Sequence, residues 1–337
     1  MPAQTTPAAL NRRKDPVLEV HDLRTHFFTR RGIGKAVDGV NLTLYGGRTL
    51  GLVGESGSGK SMTALSILQL HPAPAARVVG GKVIFRGKDL LQQPSRELRR
   101  IRGDQISYVP QDALAALDAL FTIRNQLAEA IRIHRDIDSE RIKELSVALL
   151  RQVHIPAASE RMSAYPHELS GGMRQRVVSA MGIACDPVIL IADEPTTSLD
   201  VTIQAVYLDV LREVQRSRDL SILFITHDFG IVADICDDVA VMYAGRVVEQ
   251  ASVQELFARP SHPYTSALLN SLFDVSDTSS ELISIPGQPP SMFEEHDGCP
   301  FAPRCSFAQE RCTKEYPPTV SLGPDHEAAC WSLVSDG

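Results

Sequence analysis

Apolar and polar positions alternate with a period of two in Val17-Leu18-Glu19-Val20 and again in Val40-Asn41-Leu42-Thr43-Leu44, and a Gly46-Gly47 turn leads from the second run into Thr49–Val53. Such alternation predicts strands with one buried face. Thr49–Val53 enters a glycine-rich loop; Ser61–Leu70 then has helical spacing and is stopped by His71-Pro72. Lys82–Phe85 and Ile106–Val109 predict two further strands. From about 112 to 182 the period turns helical, most clearly over Ile123–Ile133 and Ile142–Val153. Apolar runs return at Val188–Ala192, Ile222–Thr226 and Val239–Tyr243, and Ala244-Gly245 turns the chain into Val247-Val248. Strands alternating with helices predict a mostly parallel α/β sheet, with 112–182 as an inserted helical subdomain.

After about Ser261 the composition shifts to Pro, Cys and short polar runs such as Pro286-Gly287-Gln288-Pro289-Pro290, and this stretch holds four of the six cysteines. The expected organisation is a flexible tail over 1–16, a main domain over 17–260 and a small Cys-containing domain over 261–337. A chain of 337 residues has room for that arrangement. With 43% apolar and 22% charged residues it is of ordinary globular composition, which excludes disorder along its whole length. A net charge of −7 argues against nucleic acid as the main partner. No apolar run approaches the ~20 residues that span a bilayer. Arg12, Arg13 and Lys14 are followed by no apolar segment, so the start does not read as a secretory signal. The expected address is therefore cytosolic, where cysteines serve as metal ligands or core residues more often than as disulfides.

Gly54-Glu55-Ser56-Gly57-Ser58-Gly59-Lys60-Ser61 fits the phosphate-loop pattern, between a predicted strand and a predicted helix. Glycines let backbone N–H groups curl around phosphates, and the helix N-terminus adds positive potential. In that pattern Lys60 reaches the β- and γ-phosphates and Ser61 offers its hydroxyl to Mg²⁺. Val188–Ala192 leads into Asp193-Glu194 at a strand end. There the first acid can hold Mg²⁺ and the second can polarise an attacking water. Leu169-Ser170-Gly171-Gly172-Met173 precedes a helical stretch, with Ser170 as its N-cap. Taken alone, this last motif fits an anion site and an ordinary capped helix equally well.

These motifs, with Gln111, Ser198-Leu199-Asp200 and Thr226-His227-Asp228, stand in the order found in ATP-binding cassette (ABC) ATPases, and residues 17–260 resemble that family. The resemblance implies a P-loop fold: a RecA-like core with an antiparallel β subdomain and an inserted helical subdomain. It implies Glu194 as general base, His227 on the γ-phosphate and Gln111 as sensor of Mg²⁺ and γ-phosphate. Mg²⁺ would be held by Ser61, Gln111 and Asp193. Ser170, Gly171 and Gly172 would contact ATP on a facing cassette, and Asp200 would communicate across that dimer. Met173 departs from the glutamine commonest at its position. For stacking on adenine, Phe28 is the candidate with Phe27 beside it, and either ring could equally pack in the core.

Arg259-Pro260-Ser261-His262-Pro263-Tyr264-Thr265 and Gly298-Cys299-Pro300-Phe301-Ala302-Pro303-Arg304-Cys305 resemble the C-terminal extension of oligopeptide and dipeptide import ATPases. That implies an ATPase subunit, peripheral on the cytoplasmic face of the inner membrane. It would work beneath two transmembrane permeases, beside a second, related cassette subunit and with an extracytoplasmic peptide-binding protein. A nickel or glutathione importer would carry much the same cassette; a soluble, non-transport ABC ATPase is the further alternative. Cys299, Cys305, Cys312 and Cys330 lack paired CxxC spacing but supply four thiolates. They are expected to bind a [4Fe–4S] cluster, with zinc as the alternative and His326 as either a substitute ligand or a surface histidine. Cys185 and Cys236 are expected in the core.

Overall fold

The computed structural model describes residues 15–197, 199–271 and 285–334. Most of the expected N-terminal tail, and Ser198, lie outside the described residues. In chain order the strands are β1 (Pro16–Thr29), β2 (Gly32–Tyr45), β3 (Thr49–Val53), β4 (Ala76–Phe85), β5 (Lys88–Asp89) and β6 (Ile106–Val109). They continue with β7 (Ile189–Asp193), β8 (Ser221–Thr226), β9 (Asp238–Tyr243), β10 (Arg246–Ser252), β11 (Thr319–Gly323) and β12 (His326–Ala329). Two sheets result. An antiparallel one runs β2-β1-β4-β5, and a larger one runs β11-β12-β10-β9-β3-β8-β7-β6.

The stretch β9-β3-β8-β7-β6 is parallel throughout. Every residue of β3, β7 and β8 is buried, which is why these strands read as continuous apolar runs instead of alternating ones. β1 and β2 are each 14 residues long, far beyond the short alternations visible in the sequence. Register shifts between Val20 and Leu23 and between Thr25 and His26 break the period that would have revealed them. The first strand also begins at Pro16, so the end of the expected tail belongs to the sheet.

Between β6 and β7 the chain forms the helical subdomain, including the helices Ile123–Arg132, Ser139–Gln152 and Gly171–Gly182. Thr122 and Asp138 cap the first two; the Asp138 side chain accepts from the Arg141 N–H at 2.8 Å. Their apolar stripes, Ile123-Leu127-Ile131 and Ile142-Leu149, share one core with Val109, Leu190 and the helix Val201–Arg218.

The hairpin of the C-terminal region continues the main sheet: β12 pairs with β10 at Glu249↔Ala328 and Gln250↔Glu327. Tyr264 and Phe301 join the core formed by Val53, Phe229 and Tyr243, with Tyr243 and Tyr264 ring centroids 4.6 Å apart. A stretch this poor in apolar residues gains its stability by completing an existing core. The buried Glu249 carboxylate fastens the junction. It accepts from the Ser261 N–H at 2.7 Å and the His262 N–H at 2.9 Å, and lies 2.8 Å from His326 Nε2. His326 is thus neither a surface histidine nor a ligand placed beside the cysteines; it is buried against Glu249.

Candidate nucleotide site

The loop between β3 and the helix Lys60–Ile67 needs its glycines for two different reasons. Gly54 has φ 150°, and a Cβ there would lie 2.1 Å from the Met242 carbonyl oxygen. Gly59 has φ 104° in the left-handed region, and its Cβ would lie 2.3 Å from the Ala36 oxygen. The loop opens on a cavity of about 670 Å³ whose walls include Glu55, Ser56, Gly57, Gly59, Lys60, Ser61, Gln111, Glu194 and His227. Residues from four separate parts of the chain therefore meet at the carboxyl ends of the parallel strands.

Lys60 is buried, and its Nζ donates to the Gly54 oxygen at 2.8 Å and the Glu55 oxygen at 3.0 Å. Burial lowers its pKa, and the Glu194, Asp193 and Glu55 carboxylates oppose that shift. Asp193, at the end of β7, is 3% exposed. Ser61 Oγ donates to its Oδ1 at 2.9 Å, and the Tyr108 hydroxyl donates to its Oδ2 at 2.8 Å. Burial still pushes the Asp193 carboxyl above its ordinary range, against the lowering effect of the Tyr108 and Ser61 hydrogen bonds. Burial and Asp193 together raise the Tyr108 phenol, which keeps it a donor.

Glu194 faces the cavity. Its backbone has φ 45°, uncommon outside glycine, and is fixed by its N–H donating to the Ile225 oxygen at 2.9 Å. One carboxylate oxygen, Oε2, gathers three groups: Gln111 Nε2 at 3.1 Å, Thr197 Oγ1 at 3.0 Å and His227 Nδ1 at 3.4 Å. The adjacent acids thus have opposite surroundings. Asp193 is buried beneath the loop, and Glu194 is turned towards the cavity.

The other expected site residues lie elsewhere. Ser170 caps the helix Gly171–Gly182, its Oγ accepting from the Met173 N–H at 3.4 Å. Ser170 and Gly171 are exposed, and no residue of Ser170–Gly172 lines the cavity. Asp200 is also exposed and caps the helix Val201–Arg218 by accepting from the Ile203 N–H at 3.0 Å. Of the two adenine candidates, only one reaches the cavity. Phe28 stands outside the cavity, 39% exposed beneath the Arg77 guanidinium, whereas Phe27 lines it. Neighbouring residues of a strand point to opposite faces, so only one of the pair can do so.

Residues missed by sequence reasoning include Tyr108, Thr197, Leu268, Met292 and Arg304. Tyr108 and Thr197 are ordinary strand and loop residues until the fold brings them to the carboxylates. Leu268 and Met292 come from the C-terminal region and line the same cavity. Arg304 pairs with Glu55 of the loop.

Cys299, Cys305, Cys312 and Cys330 all line one small cavity of about 20 Å³, walled also by Phe301, Pro317 and Trp331. Burial, and then the neighbouring Cys312, Cys330 and Cys305, push the Cys299 thiol up to about 11. Among the described residues no three His, Cys, Asp or Glu side chains form a preformed metal-ligand group, so the four thiols converge without standing at ligand geometry. Cys185 is buried, as expected, and Cys236 packs under Gly51.

Residues 37–197 match the ABC transporter family model, and residues 248–312 match the oligopeptide/dipeptide transporter C-terminal region. The chain belongs to the ABC transporter ATPases. A probable peptide ABC transporter ATP-binding protein of Sinorhizobium fredii is 48% identical over 95% of this chain and 96% of its own length. The dipeptide transport ATP-binding protein DppD of Bacillus subtilis is 44% identical over 94% of this chain and 95% of its own. The oligopeptide transport ATP-binding protein OppD of Salmonella typhimurium is 44% identical over 95% of each. The fold is similar to a dimeric ATP-binding cassette solved with ADP and phosphate, with a TM-score of 0.63 and 24% identity over 70% of this chain and 98% of that one. Among the described residues no helix is long and apolar enough to cross a membrane.

Proposed function

We propose that this chain is the ATP-hydrolysing subunit of an importer for dipeptides or oligopeptides. It would lie peripherally on the cytoplasmic face of the inner membrane, beneath two permeases supplied from outside by a peptide-binding protein. The observation that carries this reading is the presence, on one chain, of a complete phosphate site and the C-terminal region of the peptide transporters.

The chemistry follows from the geometry. Loop N–H groups and Lys60 bind the phosphates, the ammonium keeping a third N–H beyond the two that it donates to the Gly54 and Glu55 carbonyls. Ser61, Asp193 and Gln111 would hold Mg²⁺, whose charge offsets that of the β- and γ-phosphates. Asp193 suits this role because its buried carboxylate already accepts from Ser61. Glu194 accepts a proton from the attacking water, and Gln111 and Thr197 aim its Oε2. His227 stands beside it on the γ-phosphate side. Ser170, Gly171 and Gly172 serve the ATP of a facing cassette, a related but distinct subunit, with Asp200 at the same interface. Phe27 stacks on the adenine.

The four C-terminal cysteines would hold a [4Fe–4S] cluster, which would have a structural role. Support comes from their meeting on one cavity, to which thiolates would be drawn together on binding metal. Anaerobic purification followed by iron, acid-labile sulfide and zinc analysis tests this. About four irons and four sulfides per chain are expected; one zinc without sulfide would overturn it. Transport is tested with the subunit, its permeases and binding protein in vesicles. ATP-dependent uptake of a labelled peptide, lost in Glu194→Gln, is expected, while uptake of nickel or glutathione instead would overturn the peptide assignment.

A further inference from the structure

The Glu55 segment of the phosphate loop is held by two residues of the C-terminal region. Arg304 is 5% exposed, and its Nη1 and Nη2 donate to Glu55 Oε2 and Oε1 at 2.7 and 2.9 Å, a bidentate pair. The guanidinium is itself fixed, with Nε donating to the Pro286 oxygen at 2.9 Å and Nη1 reaching the Tyr243 hydroxyl at 3.2 Å. A second tie comes from Tyr264, whose hydroxyl accepts from the Glu55 N–H at 2.9 Å. The carbonyl of the same residue accepts from Lys60 Nζ. One residue of the loop thus connects the C-terminal region to the lysine that binds phosphate.

The same region also walls the cavity. Met292 lines it, and the Met292 carbonyl accepts from the Lys35 N–H at 2.7 Å, pinning that segment to β2.

We propose that Arg304 and Tyr264 are positioning residues for ATP binding: from the C-terminal region they hold Glu55, and through it Lys60, in the phosphate-binding arrangement. The C-terminal region is then a working part of the nucleotide site. This rests on the ATP-site reading above. The ties fix the loop before the nucleotide arrives, so their loss weakens affinity for ATP more than it slows hydrolysis of bound ATP.

The test measures KM for ATP, kcat and binding of a fluorescent ATP analogue in the assembled transporter for Arg304→Met, Arg304→Lys, Glu55→Gln, Tyr264→Phe and the Arg304→Met/Glu55→Gln double variant. Lys60→Ala serves as control, and thermal melting of each full chain reports folding. Arg304→Met should raise KM about tenfold with kcat within about twofold, the cost of one charged bidentate contact. Arg304→Lys should recover part of the loss. Tyr264→Phe keeps the ring packing and removes one acceptor, so about threefold is expected. The double variant should be no worse than the poorer single one, since both remove the same contact. Unchanged KM in a folded Arg304→Met chain, or effects that multiply in the double variant, would overturn the proposal. Unchanged analogue binding in Lys60→Ala would instead overturn the ATP-site reading beneath it.

Discussion

The phosphate-loop end of the molecule and the Ser170–Asp200 end are built to different degrees of completion. At the first, each charged group has its partners: Lys60 sits on two carbonyls, Asp193 accepts from two hydroxyls, and Glu194 collects three groups on one oxygen. At the second, Ser170 and Asp200 are exposed and, among the described residues, bond only to the helices they cap, and a Cβ on Gly171 would meet nothing within 4 Å. Polar groups that are already satisfied can hold a geometry for chemistry, whereas open helix N-termini await an anion. On the function proposed above, one chain would carry the catalytic apparatus and also a surface that serves another chain's nucleotide.

The largest effect should come from Glu194→Gln. It removes the proton acceptor and leaves the loop intact, so ATP binding should persist while turnover falls by about 10²–10⁴-fold. Steady-state turnover together with ATP binding in the assembled transporter checks this, and wild-type turnover would show that the base lies elsewhere.

Gly171→Asp sharpens the comparison. Its side chain points into open space in the single chain, so melting should move by no more than about 0.5 kcal/mol. In the assembled transporter a carboxylate at that position would repel the facing nucleotide, and ATPase activity should fall steeply. Loss of stability without a transporter-specific defect would mean that this end is an ordinary capped helix.

A smaller effect concerns acid. Burial pushes His262 down to about 4, and its Nδ1 accepts from the Tyr264 N–H at 3.0 Å. Because the folded value lies below the ordinary 6.5, the unfolded chain binds more protons between those two values. The stabilisation is therefore complete above about pH 6.5 and is lost as pH falls towards about 4, with about 3 kcal/mol at stake. Denaturant melts of wild type and His262→Asn over that window should show a steeper loss in the wild type; parallel curves would contradict the assignment.

The two ends also differed in how much could be read from the chain. Loop, strand-end acids and helical insertion were visible because each is local: a run of glycines, a buried strand, a change of period. The Glu194 cluster needed Gln111 and His227 from two distant segments, which only the order of motifs linked, and Thr197 of its own loop, which no motif marked. Arg304 sat within a quoted motif, but its pairing with Glu55 spans 249 positions, and no periodicity records it. That Phe27 and not Phe28 lines the cavity could not be read from the chain, because register shifts in β1 hide which face each residue takes. The composition of the C-terminal region showed its Pro and Cys content but not the sheet edge that it completes.

The central claim is that ATP held by Lys60 of this chain is completed by the Ser170–Gly172 surface of another. An ATP analogue with a photoreactive γ-phosphate, trapped in the assembled Glu194→Gln transporter and mapped by peptide mass spectrometry, tests it directly. Label should appear on the facing cassette and on this chain's loop, with none on its own Ser170–Gly172; label on that segment of the same chain would contradict the account.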